Sequence, residues 1–330
     1  MIKKTNMKNF ILLLFTAFLL TSCKDEPNVK GLSDSSGNIN NVSVFIDEVM
    51  WNGQIGDSLR KKLAAPVDGL PQEEPTFNIN QYPTKIFDGF VKKGRNIIVV
   101  QKTDKTGFGA SKDQYAAPQN VFYISGKTTN DVLNIIENKA SQIIQTIRKG
   151  EILENQKRMK KALVNDKNIK NRFGVTMNIG YGYNYETIND KFIWLRKEYQ
   201  SGYNSILVYE VPINRIENQN EIVQNIISIR DSIGKANVHG MLDNTWMITE
   251  EAYAPYLFTT TLDNKPAFLT KGTWELKNDF MAGPFINYAI KDTTNNRYLI
   301  IEGFTYLPSK AKRDHMFELE AIINSAKIID

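Results

Sequence analysis

The chain has 330 residues, of which 42% are hydrophobic and 23% are charged, and its formal net charge is +5. These proportions are those of a folded globular protein and exclude an intrinsically disordered chain. The single cysteine excludes an intrachain disulfide, and two histidines are too few for a multi-histidine zinc site. Three lysines in the first 22 residues supply most of the net charge. The remainder is nearly neutral, so we expect no nucleic-acid partner.

Residues 1–22 have the pattern of an export signal. Lys3, Lys4 and Lys8 form a positive segment, and an apolar run follows from Phe10 to Leu20. That run is too short for a membrane-spanning helix, which needs about 20 residues. It ends in Leu20-Thr21-Ser22-Cys23, which resembles the bacterial lipobox. The resemblance implies cleavage before Cys23 and lipid attachment at Cys23. Two or three acyl chains hold a protein stably at a membrane, whereas one chain binds only marginally.

A polar segment follows the cysteine. Lys24, Asp25 and Glu26 resemble the export signal of Bacteroidetes surface lipoproteins, which implies display on the outer face of the outer membrane. The alternatives are a generic polar tether and a periplasm-facing protein. Residues 23–41 are predicted to be a lipidated cysteine and a flexible tether, and 24–41 would have an r.m.s. reach of roughly 25 Å.

The N-terminal half of the folded part, 42–165, mixes strands and helices. Alternating apolar residues predict a first strand, and Ile55, Leu59 and Leu63 mark one face of a helix. A loop with three prolines follows, and then two strands rich in Val and Ile. A long amphipathic helix comes last, with a break or bend expected at Gly150. The predicted elements are strand 42–48, helix 55–64, strands 96–101 and 120–125, and helix 128–164.

The C-terminal half, 166–330, is richer in strands. Successive strands are joined by short turns, a pattern that favours antiparallel pairing with helices packed on the sheet. The sequence therefore predicts an α+β fold with mainly antiparallel sheets, and it leaves open whether the two halves are similar domains. The predicted elements are strands 173–185, 191–198 and 204–211, helix 220–233, strands 256–262, 267–276, 285–290 and 298–306, and a final helix capped by Asp314.

Several segments together resemble one family, the Bacteroidetes lipoproteins known as domain of unknown function 4837. The similarity extends in the same order over essentially the whole mature chain. It implies an envelope location and a lipid anchor, but no activity. The C-terminal half is also weakly similar in topology to the α+β fold of PsbP and Mog1 proteins. The segments are Leu70-Pro71-Gln72-x-Glu74-Pro75, Arg95-Asn96-Ile97, Gly272-x-Trp274-Glu275, Met281-x-Gly283-Pro284-Phe285, Glu302-Gly303-Phe304-x-Tyr306 and Lys312-Arg313.

Two surface features are candidates for binding. Tyr181, Tyr183 and Tyr185 alternate with Gly and Asn, so in a strand their rings share one face and could stack on a sugar or an extended partner. The alternative is ordinary packing within the sheet. Nine basic residues lie between Arg148 and Arg172 among only three acids. They could contact anionic lipid head groups, and the alternative is a solvated helix face.

The sequence holds no complete catalytic constellation. Gly56-Asp57-Ser58-Leu59 spells the motif of GDSL esterases, but no histidine stands three residues after an aspartate to activate the serine. We therefore expect a non-enzymatic, lipid-anchored envelope protein that binds a glycan or an envelope protein, with no cofactor and no metal. The alternatives are a periplasmic scaffold or assembly factor and a hydrolase that uses dispersed carboxylates.

Overall fold

The computed structural model describes residues 31–329, and one folded unit begins at Asp34. Its first sheet has the strand order β2-β1-β3-β5-β4. Only the edge strand β4 is antiparallel to its neighbour. The antiparallel prediction therefore fails for this sheet, because long crossovers separate its strands along the chain. The strands are β1 (Asn41–Phe45), β2 (Asn78–Tyr82), β3 (Asn96–Lys102), β4 (Gly107–Lys112) and β5 (Asn120–Gly126).

Helices cover one face of this first sheet. They are the short α1 (Glu48–Trp51), α2 (Gln54–Leu63) and the 31-residue α3 (Thr129–Met159). Thr128 and Asp131 close a capping box at the start of α3, as its sequence indicates. The helix continues through Gly150, where an added Cβ would stand 2.9 Å from the side-chain amide nitrogen of Asn120. The glycine therefore serves close packing of α3 on β5, and the predicted break is absent.

The second sheet has eight antiparallel strands. Its order is β10-β12-β13-β14-β9-β8-β7, and β11 also pairs with β12. The two sheets differ in size and strand direction, so the two halves of the chain are not similar domains. The strands are β7 (Tyr183–Ile188), β8 (Phe192–Tyr199), β9 (Gly202–Pro212), β10 (Trp246–Thr249), β11 (Tyr256–Leu262), β12 (Lys265–Lys277), β13 (Ala282–Asp292) and β14 (Arg297–Tyr306). Among the described residues, β6 (Val175–Thr176) pairs separately with β15 (Lys327–Ile328).

Each face of the second sheet carries its own apolar core. One face packs against α6 (Ile222–Asn237), which contributes Ile226 and Ile229. The other face packs against α4 (Lys167–Phe173) and α7 (Arg313–Ile323). A short α5 (Ile213–Ile216) follows β9. The chain is therefore α+β with mainly antiparallel strands, as the sequence predicts. No helix in the described part of the chain is long and apolar enough to cross a bilayer.

Buried charges tie the elements together. The Glu151 carboxylate on α3 is fully buried and accepts hydrogen bonds from the Asn40 backbone (2.8 Å), Arg95 Nε (2.6 Å) and Asn96 Nδ2 (2.6 Å). A second buried pair joins Arg230 Nε on α6 to Glu302 Oε1 on β14 at 2.9 Å. Such pairs stabilise a fold only while both partners are present, because one buried charge alone is costly.

The segment before β1 is more ordered than a flexible tether. Ser36 donates its backbone N–H to the Lys93 carbonyl at 2.8 Å. Arg95 donates to the carbonyls of Gly37 (3.2 Å) and Asn38 (2.8 Å). The part of the predicted tether from Asp34 onward therefore belongs to the folded unit.

Candidate binding cleft

A cleft of ≈ 380 Å³ lies where β12 changes partners along its edge. β10 pairs with the C-terminal part of β12, from Trp274 to Lys277, and β11 pairs with the part up to Lys271. Gly272 and Thr273 lie between these two pairings and line the cleft. The opposite wall is the proline-rich loop 66–73. The volume falls in the usual range for small-ligand sites.

Glycines let the loop press against the sheet. Gly69 has φ +83°, and a Cβ there would stand 2.9 Å from the Lys271 Cβ. A Cβ on Gly272 would stand 2.9 Å from the Phe285 ring and 3.2 Å from Pro255. A side chain at Gly69 would therefore push the loop away from β12 and would stand at a costly positive φ, whereas one at Gly272 would displace the Phe285 ring or Pro255.

The far end of the loop is fixed to the start of α7. Glu74 accepts backbone N–H bonds from Lys312 at 2.7 Å and from Arg313 at 2.9 Å. A carboxylate at a helix N-terminus is stabilised by the orphan N–H groups and the helix dipole. Arg313 also donates to the Pro75 carbonyl at 2.9 Å. The C-terminal end of the loop wall is therefore anchored rather than free.

Exposed aromatic rings form one wall of the cleft and its margin. Tyr253 is 71% exposed and Tyr256 is 50% exposed, and both line the cleft. Phe258, 39% exposed, lies two residues further along β11 on the same side as Tyr256. The Tyr256 and Phe258 rings lie 6.4 Å apart with an angle of 5° between their planes. Together the three side chains form an apolar surface that the fold leaves uncovered.

Carboxylates flank these rings. Glu73 and Glu250 line the cleft. The Glu250 position is fixed, because its N–H donates to the Thr273 carbonyl at 2.9 Å and its carboxylate accepts the Ala252 N–H at 2.7 Å. Glu275 on β12 lies near Glu250 and Glu251, and burial followed by repulsion from those two carboxylates raises its pKa. In the described residues, no group of three or more acidic, His or Cys side chains could hold a metal ion.

Behind the loop lies a separate cavity of ≈ 30 Å³, about the room of one water molecule. Arg148 on α3 crosses it and donates two bonds of 2.8 Å to the Glu320 carboxylate on α7. Burial works against the charged form of Glu320, but the Arg148 and Lys271 charges prevail and lower its pKa. This pair joins α3 to α7, so Arg148 does not belong to a basic stripe on the surface.

The predicted tyrosine ladder does not form. Tyr181 precedes β7 and is 81% exposed, Tyr183 is buried, and Tyr185 is half-buried with its hydroxyl donating to the Asn165 carbonyl at 2.8 Å. Tyr183 instead donates to Glu318 at 3.2 Å beneath α7. Gly182, with φ +97°, turns the chain before the strand begins and so separates Tyr181 from Tyr183 and Tyr185, whose face of β7 packs on the core.

The other predicted site residues, Cys23, Lys24, Asp25 and Glu26, lie outside the described residues. The aromatic wall was only partly visible in the sequence. Tyr253 and Tyr256 mark an aromatic segment, but nothing local shows that β11 is an edge strand that leaves Phe258 uncovered. Glu73 and Glu250 are far apart along the chain, and only the packing of the loop on β12 brings them to one cleft.

Two family models cover most of the described chain. Residues 162–325 match a domain of unknown function, DUF4837, and residues 35–160 match a second one, DUF8532. The first match supports the predicted resemblance for the C-terminal half. The N-terminal segments around Leu70 and Arg95 fall instead within the second match, so the expected similarity to one family over the whole chain is not what is found. No curated protein matches the chain significantly.

Among solved structures, the Ran-binding protein Mog1p of Saccharomyces cerevisiae is similar, with 12% sequence identity and a TM-score of 0.32. The match covers 47% of this chain and 90% of that chain. A mutant form of Mog1 matches with 10% identity and a TM-score of 0.31, covering 47% of this chain and 91% of that one. Similarity at this level carries no inference about function.

Proposed function

We propose that this protein is a lipid-anchored module of the bacterial outer membrane that binds a glycan in the cleft without transforming it. The observation that carries the proposal is the uncovered aromatic wall of Tyr253, Tyr256 and Phe258 beside a cleft of ≈ 380 Å³. A contiguous exposed apolar surface in a concave site is typical of a binding site, whereas single exposed apolar side chains need no explanation.

The chemistry of the walls favours a sugar. A pyranose ring has a face of C–H bonds, which packs on an aromatic face, and hydroxyl groups at its rim. The exposed Tyr256 and Phe258 rings lie in nearly parallel planes, so both accept a sugar face in the same orientation. Glu73 and Glu250 supply acceptors for the hydroxyl groups. A neutral or amino sugar fits this cleft better than an acidic one, because the three charged side chains that line it, Asp68, Glu73 and Glu250, are all carboxylates.

The location rests on the sequence. The lipobox at Leu20–Cys23 supports a lipid anchor, and Lys24-Asp25-Glu26 supports display on the cell surface in a member of the Bacteroidetes. Cys23 is the only cysteine, so its thiol has no competing partner within the chain. The stretch from Lys24 to Ser33 before the folded unit then serves as the tether.

A glycan array probed with the detergent-solubilised full-length protein tests the binding. Tyr256→Ala should weaken binding about tenfold, the loss of about 1.4 kcal/mol that one stacked ring supplies. Tyr181→Ala is the matched control, since Tyr181 is an exposed tyrosine that does not line the cleft. An array with no ligand, or equal losses in both variants, would contradict the proposal.

Protease digestion of intact cells tests the location. An antibody against the C-terminal half follows the fragments, and Cys23→Ala provides the unanchored control. Loss of the signal from intact cells supports surface display. Protection until lysis would instead favour the periplasmic alternative, in which the protein acts as a scaffold or assembly factor and the cleft takes an envelope protein.

A second candidate is a hydrolase that acts on the same glycan. The closeness of Glu275 to Glu250 favours it, because glycoside hydrolysis uses a pair of carboxyl groups, and burial followed by repulsion from Glu250 raises the pKa of Glu275 in the direction that a general acid requires. Incubation of each array ligand with the protein, followed by analysis of the sugar, separates the two functions. Intact sugar supports binding alone, and cleavage that Glu250→Gln abolishes supports the hydrolase.

A further inference from the structure

The place where the chain enters the folded unit lies among exposed basic and apolar side chains. Asp34–Asn38 runs between two concave surfaces, of ≈ 370 Å³ and ≈ 240 Å³. On one side, Lys112 and Lys157 line the larger hollow together with Leu153, which is 57% exposed. On the other side, Phe90 lines the smaller hollow with Ser36 and Gly37, and Phe90 is 73% exposed.

The helix α3 supplies a continuous part of this surface. Lys149, Leu153 and Lys157 are spaced by four residues, and Lys160 follows at the helix end, so the four side chains lie on one side of α3. Arg158 donates to the Gly37 carbonyl at 3.2 Å, which places this end of the helix against the entering chain. Only part of the basic segment predicted from the sequence therefore lies here.

Acidic side chains near the entry point only partly offset this charge. Glu154 is paired with Arg158 at 2.7 Å, and Asp88 is paired with Lys92 at 3.2 Å. Asp113 accepts the Gln119 backbone N–H at 2.7 Å and lines the larger hollow. Asp34 is exposed. We define the entry face as Phe90, Lys112, Leu153, Lys157 and Arg158; its two apolar side chains lie among three cations, of which Arg158 is paired with Glu154.

We propose that the entry face docks on an anionic lipid surface, with Phe90 and Leu153 entering the head-group layer. This inference rests on the lipid anchor of the proposed function. Ten residues, 24–33, separate Cys23 from Asp34, and ten residues span at most about 35 Å, so a lipidated Cys23 keeps the entry face close to the bilayer. At that distance each Lys or Arg that contacts the surface adds to the attraction, and exposed apolar side chains add burial in the interface.

The emission of a fluorescent thiol label reports directly whether a labelled position enters the lipid surface. Phe90→Cys and Leu153→Cys each add one cysteine, and Cys23 carries no free thiol when it is lipidated. The labelled full-length protein is reconstituted into vesicles of phosphatidylcholine alone or with phosphatidylglycerol. Emission at both positions should shift to shorter wavelength on the anionic vesicles, and high salt should reverse the shift. Phe280→Cys is the control, because Phe280 is fully exposed and lines neither hollow.

Charge reversal provides the second measurement. Lys112→Glu and Lys157→Glu should each weaken docking about fivefold or more. Lys191→Glu, an exposed lysine in the turn before β8, should leave it unchanged. Equal emission on both kinds of vesicle, an equal shift at Phe280→Cys, or equal effects of the three reversals would overturn the proposal.

Vesicle flotation distinguishes a missing lipid anchor from a missing docking face. A protein that floats on phosphatidylcholine but shows no shift on anionic vesicles has its anchor and lacks the docking face. A protein that does not float lacks the anchor. In that case a shift on anionic vesicles still supports the docking face, and its absence overturns it.

Discussion

Removal of the Glu151 carboxylate should destabilise the protein strongly. Its side chain is fully buried, and Arg95, only 3% exposed, donates to it from Nε at 2.6 Å and from a terminal nitrogen at 3.0 Å. Glu151→Ala leaves the guanidinium buried without this partner and leaves the Asn40 N–H without an acceptor. Breaking a buried pair in this way costs about 3–5 kcal/mol. For a folded unit of about 300 residues we expect a fall in Tm of about 5–8 °C.

Urea denaturation followed by circular dichroism measures this change. Glu151→Gln keeps the shape of the side chain and an amide oxygen that can accept from Asn96. Its free energy of unfolding should therefore lie between those of Glu151→Ala and the wild type. Glu137→Gln is the matched control on the same helix, because Glu137 is exposed and pairs with Lys62 at the surface. Its unfolding midpoint should not move. If Glu151→Ala lowers the free energy of unfolding by less than about 1 kcal/mol, the range of an exposed ion pair, this prediction is wrong.

Three further predictions follow from buried or crowded positions. Burial lowers the pKa of His315, so the unfolded chain binds a proton at this residue more readily than the folded chain does. The free energy of unfolding should therefore fall as the pH drops below about 6.5. His315→Gln should flatten the dependence of the urea midpoint on pH in this range. Gly69→Ala should cost about 1–3 kcal/mol and weaken glycan binding, because its Cβ meets Lys271 at a positive φ; equal affinity on the array would count against the loop as a wall. Arg230→Met should cost about 3–5 kcal/mol in urea denaturation by leaving Glu302 buried without its cation, and an unchanged midpoint would contradict it.

Periodicity in the sequence predicts the long elements well. The predicted helix 55–64 lies within one residue of α2, and the strand 256–262 coincides with β11. The apolar spacing of α2 is the one that burial on one helix face imposes, and β11 is rich in aromatic and β-branched residues, which favour strands. The strand predicted over 173–185 is less accurate, because Phe173 ends α4 and Gly174 caps that helix at φ +63°. Its residues are divided between the end of α4, β6 and the start of β7.

Polar edge strands carry little sequence signal. β2 reads Asn-Ile-Asn-Gln-Tyr and has no buried residue, and β4 contains two glycines. Both lie at the edges of the first sheet, where one side of the backbone has no partner strand. Apolar patterning is weak there, because edge strands bury few side chains. The parallel order of the first sheet is likewise a property of the crossovers, which local patterns do not reveal.

The cleft, like the edge strands, could be predicted only in part from the sequence. Tyr253 and Tyr256 are recognisable as an aromatic segment, but the alternation of Tyr181, Tyr183 and Tyr185 is the stronger sequence signal and indicates those three as the stacking residues. Which tyrosines stay exposed depends on the packing of α7 over β7 and on the edge position of β11. Contacts between residues far apart in the sequence, such as that of Gly69 with Lys271, decide the shape of the site.

The most direct test of a glycan site at the cleft is the ratio of glycan dissociation constants between two variants that each remove one exposed tyrosine. Isothermal titration of the best array ligand into the wild-type, Tyr256→Ala and Tyr181→Ala proteins gives that ratio. A glycan site at the cleft predicts binding about tenfold weaker for Tyr256→Ala and unchanged for Tyr181→Ala. Unchanged binding in Tyr256→Ala, or the larger loss in Tyr181→Ala, would contradict a glycan site at this cleft.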